Sequence, residues 1–226
     1  MKALNLNRLA LLASVLGLII SIPVLSGCSR FGAVNTDLAT LSNTTVEATE
    51  TLNNLQTAYD GESNAHARYL AFAQKADAEG YGRVASLFRA AARAEEIHAS
   101  NHARVIQKLG GAPTANIKTP EVNGTAENLD AAIKGESYER DTMYPDFLKQ
   151  AREVANSQAV RTFNLARNAE AEHAKLYSEA RNNLEAWKTD KQIFFVCPVC
   201  GFTTSNLNFE RCPSSFTSRE KFVPVS

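Results

Sequence analysis

The sequence predicts a mainly α-helical protein, a four-helix bundle followed by a small domain built on metal-binding knuckles. Three observations predict it. Four long segments carry apolar residues at steps of three and four, carboxylates interrupt each of those stripes near its middle, and three of the four cysteines fall between residues 197 and 212. The 226 residues are 44% hydrophobic and 21% charged, with 24 basic and 24 acidic side chains. With no basic excess, a nucleic acid partner is not expected. The length suits one medium domain and one small one.

The N-terminus reads as an export signal. Lys2 and Arg8 precede an apolar run from Leu9 to Ile22, then Pro23 and Leu25-Ser26-Gly27-Cys28, which supply the charged, apolar and small-residue regions in order. The run is shorter than the roughly 20 apolar residues of a membrane span. Leu-Ser-Gly-Cys resembles a bacterial lipobox, which implies a signal peptide over residues 1–27 and lipidation of Cys28. The expected location is a membrane-anchored lipoprotein on the periplasmic or cell-surface side. Ser29, where an Asp favours inner-membrane retention, points to the outer membrane in a Gram-negative host. Residues 28–49, rich in Asn, Thr, Ser and Ala, read as a tether.

Residues 50–188 hold the four helical stripes, with breaks near Glu79-Gly80-Tyr81-Gly82, across Gly110 to Gly124 and near Asn156-Ser157. The first stripe runs Leu55, Tyr59, Glu62, His66, Tyr69, Ala73. The second runs Val84, Leu87, Phe88, Ala91, Glu95, His98, His102, Val105. The third runs Leu129, Ala132, Ile133, Glu136, Glu139, Met143, Phe147, and the fourth Phe163, Ala166, Glu170, His173, Tyr177, Leu184. Burying several carboxylates together is costly unless something positive joins them, and no Lys or Arg lies on these stripes. Five ionised Glu carry −5 and two iron ions carry +4 or +6, so a metal pair holds the centre near neutrality.

The spacing sharpens this. Glu95 to His98 and Glu170 to His173 are both Glu-x-x-His, which directs two ligands from one helical turn. One Glu from each of two helices plus Glu-x-x-His from each of the others is the pattern of ferritin-like di-iron or di-manganese bundles. Gly61-Glu62-Ser63 recurs as Gly135-Glu136-Ser137, so the bundle reads as two related helix pairs around a pseudo-twofold site. His66 and His102 read as packed or supporting histidines, Tyr69 and Tyr144 as hydrogen-bond partners of the carboxylates, and Arg140 and Asp141 as solvated.

Residues 192–226 form the second device. Ile193-Phe194-Phe195-Val196 reads as a short strand leading into Cys197-Pro198-Val199-Cys200-Gly201, with Cys212-Pro213-Ser214-Ser215 following. Two knuckles of this kind present four ligands to one tetrahedral iron or zinc. The fourth position is Ser215, a harder and poorer ligand than a thiolate.

With these motifs in hand, Gly-Glu-Ser, both Glu-x-x-His pairs, Glu136-x-x-Glu139, Met143-Tyr144-Pro145 and the Cys-Pro-x-Cys-Gly knuckle, the chain from about residue 50 to 226 resembles the rubrerythrin family. The resemblance implies a ferritin-like di-iron bundle followed by a degenerate rubredoxin-like domain. It implies iron ligands at Glu62, Glu95, Glu136, Glu139, Glu170 and His173, with His98 exchanging with Glu139 as one iron shifts, and those two as catalytic residues. It implies metal ligation by Cys197, Cys200, Cys212 and Ser215, of iron or zinc. It further implies reduction of hydrogen peroxide to water by electrons from a donor protein, and head-to-tail homodimers in which one subunit's small domain serves the other's di-iron site. Export and Ser215 favour a second reading, a periplasmic iron-binding or ferroxidase-like protein whose C-terminal site is structural.

Overall fold

The computed structural model describes residues 38–226, with side chains from Thr49 onward. The expected signal peptide, Cys28 and the first part of the tether lie outside the described residues. Helix α1 spans Leu38–Ala78, α2 Gly82–Lys108, α3 Thr125–Tyr138, α4 Tyr144–Glu153 and α5 Ser157–Asn182. A π-helical turn, Glu139–Met143, joins α3 to α4, so these two make one long rod and the count of bundle helices is four. Helix α1 begins well inside the stretch expected as tether. A polar segment can continue a helix that tertiary packing has already nucleated, because each added residue gains a backbone hydrogen bond without a new nucleation cost. Among the described residues, no helix is long and apolar enough to cross a membrane.

Three helix ends share one stop. At Gly80 (φ 81°), Gly110 (φ 82°) and Ala155 (φ 52°) the chain turns left-handed. The next residue's N–H then bonds back to the helix, Tyr81 to Ala76 at 2.8 Å, Gly111 to Ile106 at 2.9 Å and Asn156 to Ala151 at 2.8 Å. Asn156 then caps α5, its side chain accepting from the Ala159 N–H at 3.0 Å. Glu79 does the same for α3 from a distance, accepting from the Thr125 N–H at 2.8 Å and so tying the end of α1 to the start of α3.

The core is two apolar layers with the carboxylates between them. One layer contains Tyr69, Phe72, Leu87, Phe88, Leu129 and Tyr177, the other Leu55, Ile106, Tyr144, Leu148 and Phe163. On α1, α5 and the α3–α4 rod the Glu residues separate a stretch in one layer from a stretch in the other, and on α2 His98 and His102 do so. Each large side chain so buried contributes roughly 1.5–3 kcal/mol. That drive holds the charged middle in place. The loop from Leu109 to Gly124 is pinned along α1, with Asp60 accepting from the Asn116 N–H at 2.6 Å and Asn64 from the Lys118 N–H at 2.9 Å.

Past a 3-10 turn, Leu184–Trp187, the C-terminal unit is a three-stranded antiparallel sheet of order β2-β1-β3, with β1 Phe194–Val196, β2 Thr203–Thr204 and β3 Val223–Val225. Phe195 pairs with Thr204 and Pro224, and Val196 with Thr203 and Val223. Trp187, Phe194 and Val196 join the first apolar layer, which seats this unit on the bundle. The fold is thus a ferritin-like four-helix bundle with a small rubredoxin-like unit.

Candidate metal centre

Six side chains from four helical segments converge in the bundle: Glu62 from α1, Glu95 and His98 from α2, Glu136 from α3, Glu170 and His173 from α5. All six are buried. They form two overlapping quartets whose ligand atoms lie within 4.8 Å of one another, Glu62–Glu95–His98–Glu170 and Glu95–Glu136–Glu170–His173. Glu95 and Glu170, the first residues of the two Glu-x-x-His pairs, belong to both quartets and stand where ligands bridging two ions would stand.

The side chains aim at common points more than at one another. His173 Nδ1 lies 2.9 Å from Glu170 Oε2 and 3.5 Å from both Glu95 Oε1 and Glu136 Oε2. Yet it makes no directed hydrogen bond, and neither do Glu62 Oε2, Glu95 Oε1, Glu136 Oε2 or either oxygen of Glu170. Buried polar atoms left in this state are expensive. A pair of divalent or trivalent cations satisfies all of them at once, and the donor set of carboxylates and imidazoles suits iron. The residues fit two iron ions.

Electrostatics gives the same picture. Burial, reinforced by the charges of Glu95 and Glu170, pushes the Glu62 carboxyl well up. Burial and the neighbouring Glu62 and Glu136 do the same to Glu139, and burial with Glu95 raises Glu136 to about 8. Burial also opposes ionisation of Glu95 and Glu170, but the neighbouring His173 and His98 rings hold Glu95 low, and the charge of His98 lowers Glu170. Burial disfavours charge on the histidines too, yet the Glu170 carboxylate holds His98 protonated, and the close Glu136, Glu170 and Glu95 carboxylates do so for His173. Without metal, protons stand where cations belong.

Glu139 stands outside both quartets. It sits on the π turn, half-buried, on the wall of a cavity of about 650 Å³ that is also lined by Asp60, Asn64, Arg68, Lys118 and Glu121. A π turn inserts one extra residue into the helix and re-aims the side chains on it, a device frequent at functional sites. The Arg167 side chain supports this turn by donating to the Arg140 carbonyl at 2.9 Å. Arg140 and Asp141 pair with each other at the surface.

Around the quartets, the Tyr69 hydroxyl donates to Glu136 Oε1 at 2.5 Å and the Tyr144 hydroxyl donates to Glu62 Oε1. His66 contacts the Ala92 carbonyl through Nδ1 at 2.7 Å, away from the quartets. His102 lies against Tyr144 and Thr162, and burial together with the nearby His98 charge holds it at about 3, so its ring is neutral.

The outer nitrogens of the two quartet histidines face the C-terminal unit. His98 Nε2 lies 2.9 Å from the Cys200 carbonyl, and His173 Nε2 3.1 Å from Thr203 Oγ1. Such outer partners fix the ring so that Nδ1 faces the metal. Asn101 adds a bond to the Val199 carbonyl at 2.9 Å. The knuckle fits this closely because Gly201 is a glycine. Its φ is +74°, and a Cβ there would meet His98 Nε2 at 2.3 Å. Nothing in the sequence pattern signalled this docking, although the glycine itself is part of the Cys-x-x-Cys-Gly motif.

Cys197, Cys200 and Cys212 are buried, free, and within 4.8 Å of one another. Cys200 Sγ is 3.5 Å from Cys212 Sγ, and Cys197 Sγ is 3.3 Å from Ser215 Oγ. A tetrahedron with metal–sulfur bonds of about 2.3 Å has edges of about 3.8 Å, so three thiolates and one hydroxyl are nearly in position for iron or zinc. Hydrogen bonds from Cys200, Cys212 and Ser215 hold Cys197 as thiolate, while the same sharing pushes Cys200 up. The two knuckles are the same turn: Gly201 N bonds the Cys197 carbonyl at 3.0 Å and Phe216 N the Cys212 carbonyl at 3.0 Å. The second knuckle has Ser215 where the first has Cys200, and Phe216 (φ 59°, 71% exposed) where the first has Gly201.

Comparison with known proteins agrees with this geometry. The rubrerythrin family profile matches residues 53–181. Nigerythrin of Nitratidesulfovibrio vulgaris is 39% identical over 192 residues, covering 84% of this chain and 93% of that protein. Rubrerythrin-2 of Clostridium acetobutylicum is 39% identical over 175 residues, covering 74% of this chain and 92% of that protein. The solved structure of nigerythrin in its fully reduced, all-ferrous state superposes with a TM-score of 0.72 at 38% identity, covering 77% of this chain and 86% of that one.

Proposed function

Because the chain belongs to the rubrerythrin family and its bundle carries a di-iron site, we propose that it is a peroxidase that reduces hydrogen peroxide to two waters with electrons from a donor protein. The observation that carries this reading is Glu139, a fifth carboxylate that lines an open cavity and feels the charges of Glu62 and Glu136 without belonging to either quartet. A group so placed can enter or leave the metal shell as charge changes, which a fixed iron store does not need. We assign Glu62, Glu95, Glu136, Glu170 and His173 as constant ligands, and His98 and Glu139 as the exchanging pair.

When bound, a ferrous pair supplies one electron from each ion, the two needed to break one O–O bond. The chain's own residues do the rest. The cavity beside Asn64, Arg68 and Lys118 admits a small polar oxidant to Glu139. The apolar layers keep bulk water from the cluster, and the hydroxyls of Tyr69 and Tyr144 hold Glu136 and Glu62 in place. The hydrogen bond from His98 to the Cys200 carbonyl gives electrons a short path from the C-terminal site into the bundle, provided that site holds iron. With zinc there, an external donor must reach the bundle directly.

Export and lipidation at Cys28, a membrane-anchored location and a homodimeric state belong to the same proposal. The first two rest on the Leu25-Ser26-Gly27-Cys28 pattern, and Cys28→Ser is expected to move the protein from the membrane to the soluble fraction. The functional test is stoichiometric. Anaerobically reduced protein titrated with hydrogen peroxide is expected to re-oxidise at about one peroxide per iron pair, faster than with dioxygen. Slow reaction with peroxide, combined with turnover of added ferrous iron, contradicts the peroxidase reading and favours iron oxidation or storage.

A further inference from the structure

Reducing one peroxide to two waters consumes two protons as well as two electrons, and the cluster that receives them lies between two apolar layers. One line of hydrogen bonds crosses that barrier. The Thr162 hydroxyl lies 3.1 Å from His102 Nδ1, and His102 Nε2 lies 3.1 Å from the Tyr144 hydroxyl, which donates to Glu62. Glu62, Tyr144 and His102 are fully buried, and Thr162, 5% exposed, lines a groove of about 190 Å³ between α2 and α5, beside Asn101, Arg104 and Arg161. The line therefore has a metal-site carboxylate at one end and the wall of the groove at the other.

Its direction follows from donor and acceptor chemistry. Glu62 as a metal-bound carboxylate only accepts, so Tyr144 donates to it. The Tyr144 oxygen then accepts from His102 Nε2–H, which leaves Nδ1 as a bare nitrogen to accept from the Thr162 hydroxyl. Every O–H and N–H in the line points inward. The Tyr177 hydroxyl, buried in the apolar layer next to the cluster, has no hydrogen-bond partner at all, so a buried hydroxyl near this site is not wired by default.

We propose that Thr162, His102 and Tyr144 form a relay that carries protons from the α2–α5 groove to Glu62. In one passage a proton enters at Thr162 from groove water, the ring accepts at Nδ1 and releases from Nε2, and Tyr144 passes its proton to Glu62 while taking the one from His102. No electron moves in this step. Glu62 then hands the proton to a peroxide oxygen, and the His102 ring and the two hydroxyls reorient to restore the inward line; two such passages per peroxide supply the two protons that, with two electrons, turn it into two waters. The purpose of the relay rests on the peroxidase reading, but its existence does not.

The test uses the full chain with 15N-labelled histidine. Thr162→Val removes the outermost hydroxyl at nearly constant shape, and the exchange of the His102 ring proton with water is expected to slow about tenfold. Thr162→Ala, which adds no bulk, is expected to repeat the slowing, and Thr162→Ser to restore the exchange. In iron-loaded protein the Val variant is expected to re-oxidise with peroxide about tenfold more slowly at unchanged iron content, with a larger solvent deuterium effect. Unchanged His102 exchange in both Val and Ala variants overturns the relay. Slowed exchange in a protein that does not react with peroxide leaves the relay standing and overturns the peroxidase reading instead.

Discussion

The bundle and the cysteine unit each gather ligands for metal, and they are built in opposite ways. In the bundle, six ligands project from long helices whose apolar faces fix them from above and below, and two of the six serve both quartets. In the C-terminal unit, three thiols and a hydroxyl hang from two turns, one between strands two or three residues long and the other closed by the single Arg211–Ser218 bridge. The first turn retains cysteine and glycine at Cys200 and Gly201, while the second has Ser215 and a left-handed Phe216 at the matching positions. A non-glycine residue held left-handed costs roughly 1–2 kcal/mol. The difference shows where each site's specification resides: in the core for the first, in two turn residues for the second.

The largest expected effect breaks the first half of that comparison. Glu170→Ala removes a ligand common to both quartets, and iron analysis is expected to show a fall from about two irons per chain to well under one. Ser215→Cys addresses the other half. Supplying the fourth thiolate is expected to raise iron affinity at the C-terminal site by about a hundredfold and to give an intense red ferric–thiolate spectrum, with the bundle iron unchanged. An unaltered spectrum after iron loading would show that the second knuckle fails for a reason other than its ligand.

Gly201→Ala probes the contact between the two regions. The new Cβ meets His98 Nε2 at 2.3 Å in a left-handed backbone. Denaturant unfolding is expected to show a loss of about 2 kcal/mol, against well under 1 kcal/mol for substitution at an exposed site.

The smallest effect concerns pH. In the metal-free bundle, Glu62, Glu136 and Glu139 are raised, Glu136 to about 8, so the stability they contribute is present at low pH and is lost as pH climbs through that value. Iron displaces the same protons, so its affinity rises with pH between roughly pH 5 and 8, by up to about tenfold per unit for each proton displaced. Thermal melts are therefore expected to move in opposite directions with pH for metal-free and iron-loaded protein.

Much of this was legible from spacing alone. Glu62, Glu95, Glu136, Glu170 and the two histidines fall on single helix faces because steps of three and four do so in any α-helix, and the repeat of Gly-Glu-Ser marked the helix pairs. The π turn was not legible, because Glu136 to Glu139 is an ordinary i, i+3 step whether or not a residue is inserted after it. The start of α1 at Leu38 was hidden by a polar composition that resembles a linker. The seating of Gly201 on His98 and the bond between His102 and Thr162 join residues 103 and 60 positions apart, and no local pattern carries such pairings. What the sequence expressed was chemistry fixed by helical period. Chemistry fixed by contact between segments required the fold.

The central claim is an asymmetry between a complete two-iron centre and a C-terminal site one thiolate short. The most direct measurement is iron content with a visible spectrum, on the full chain reconstituted anaerobically with ferrous iron and dialysed against a mild chelator. The account predicts about two irons per chain retained, with little ferric–thiolate colour on oxidation. Retention of about three with intense thiolate colour, or loss of the bundle pair before the cysteine-bound metal, would contradict it.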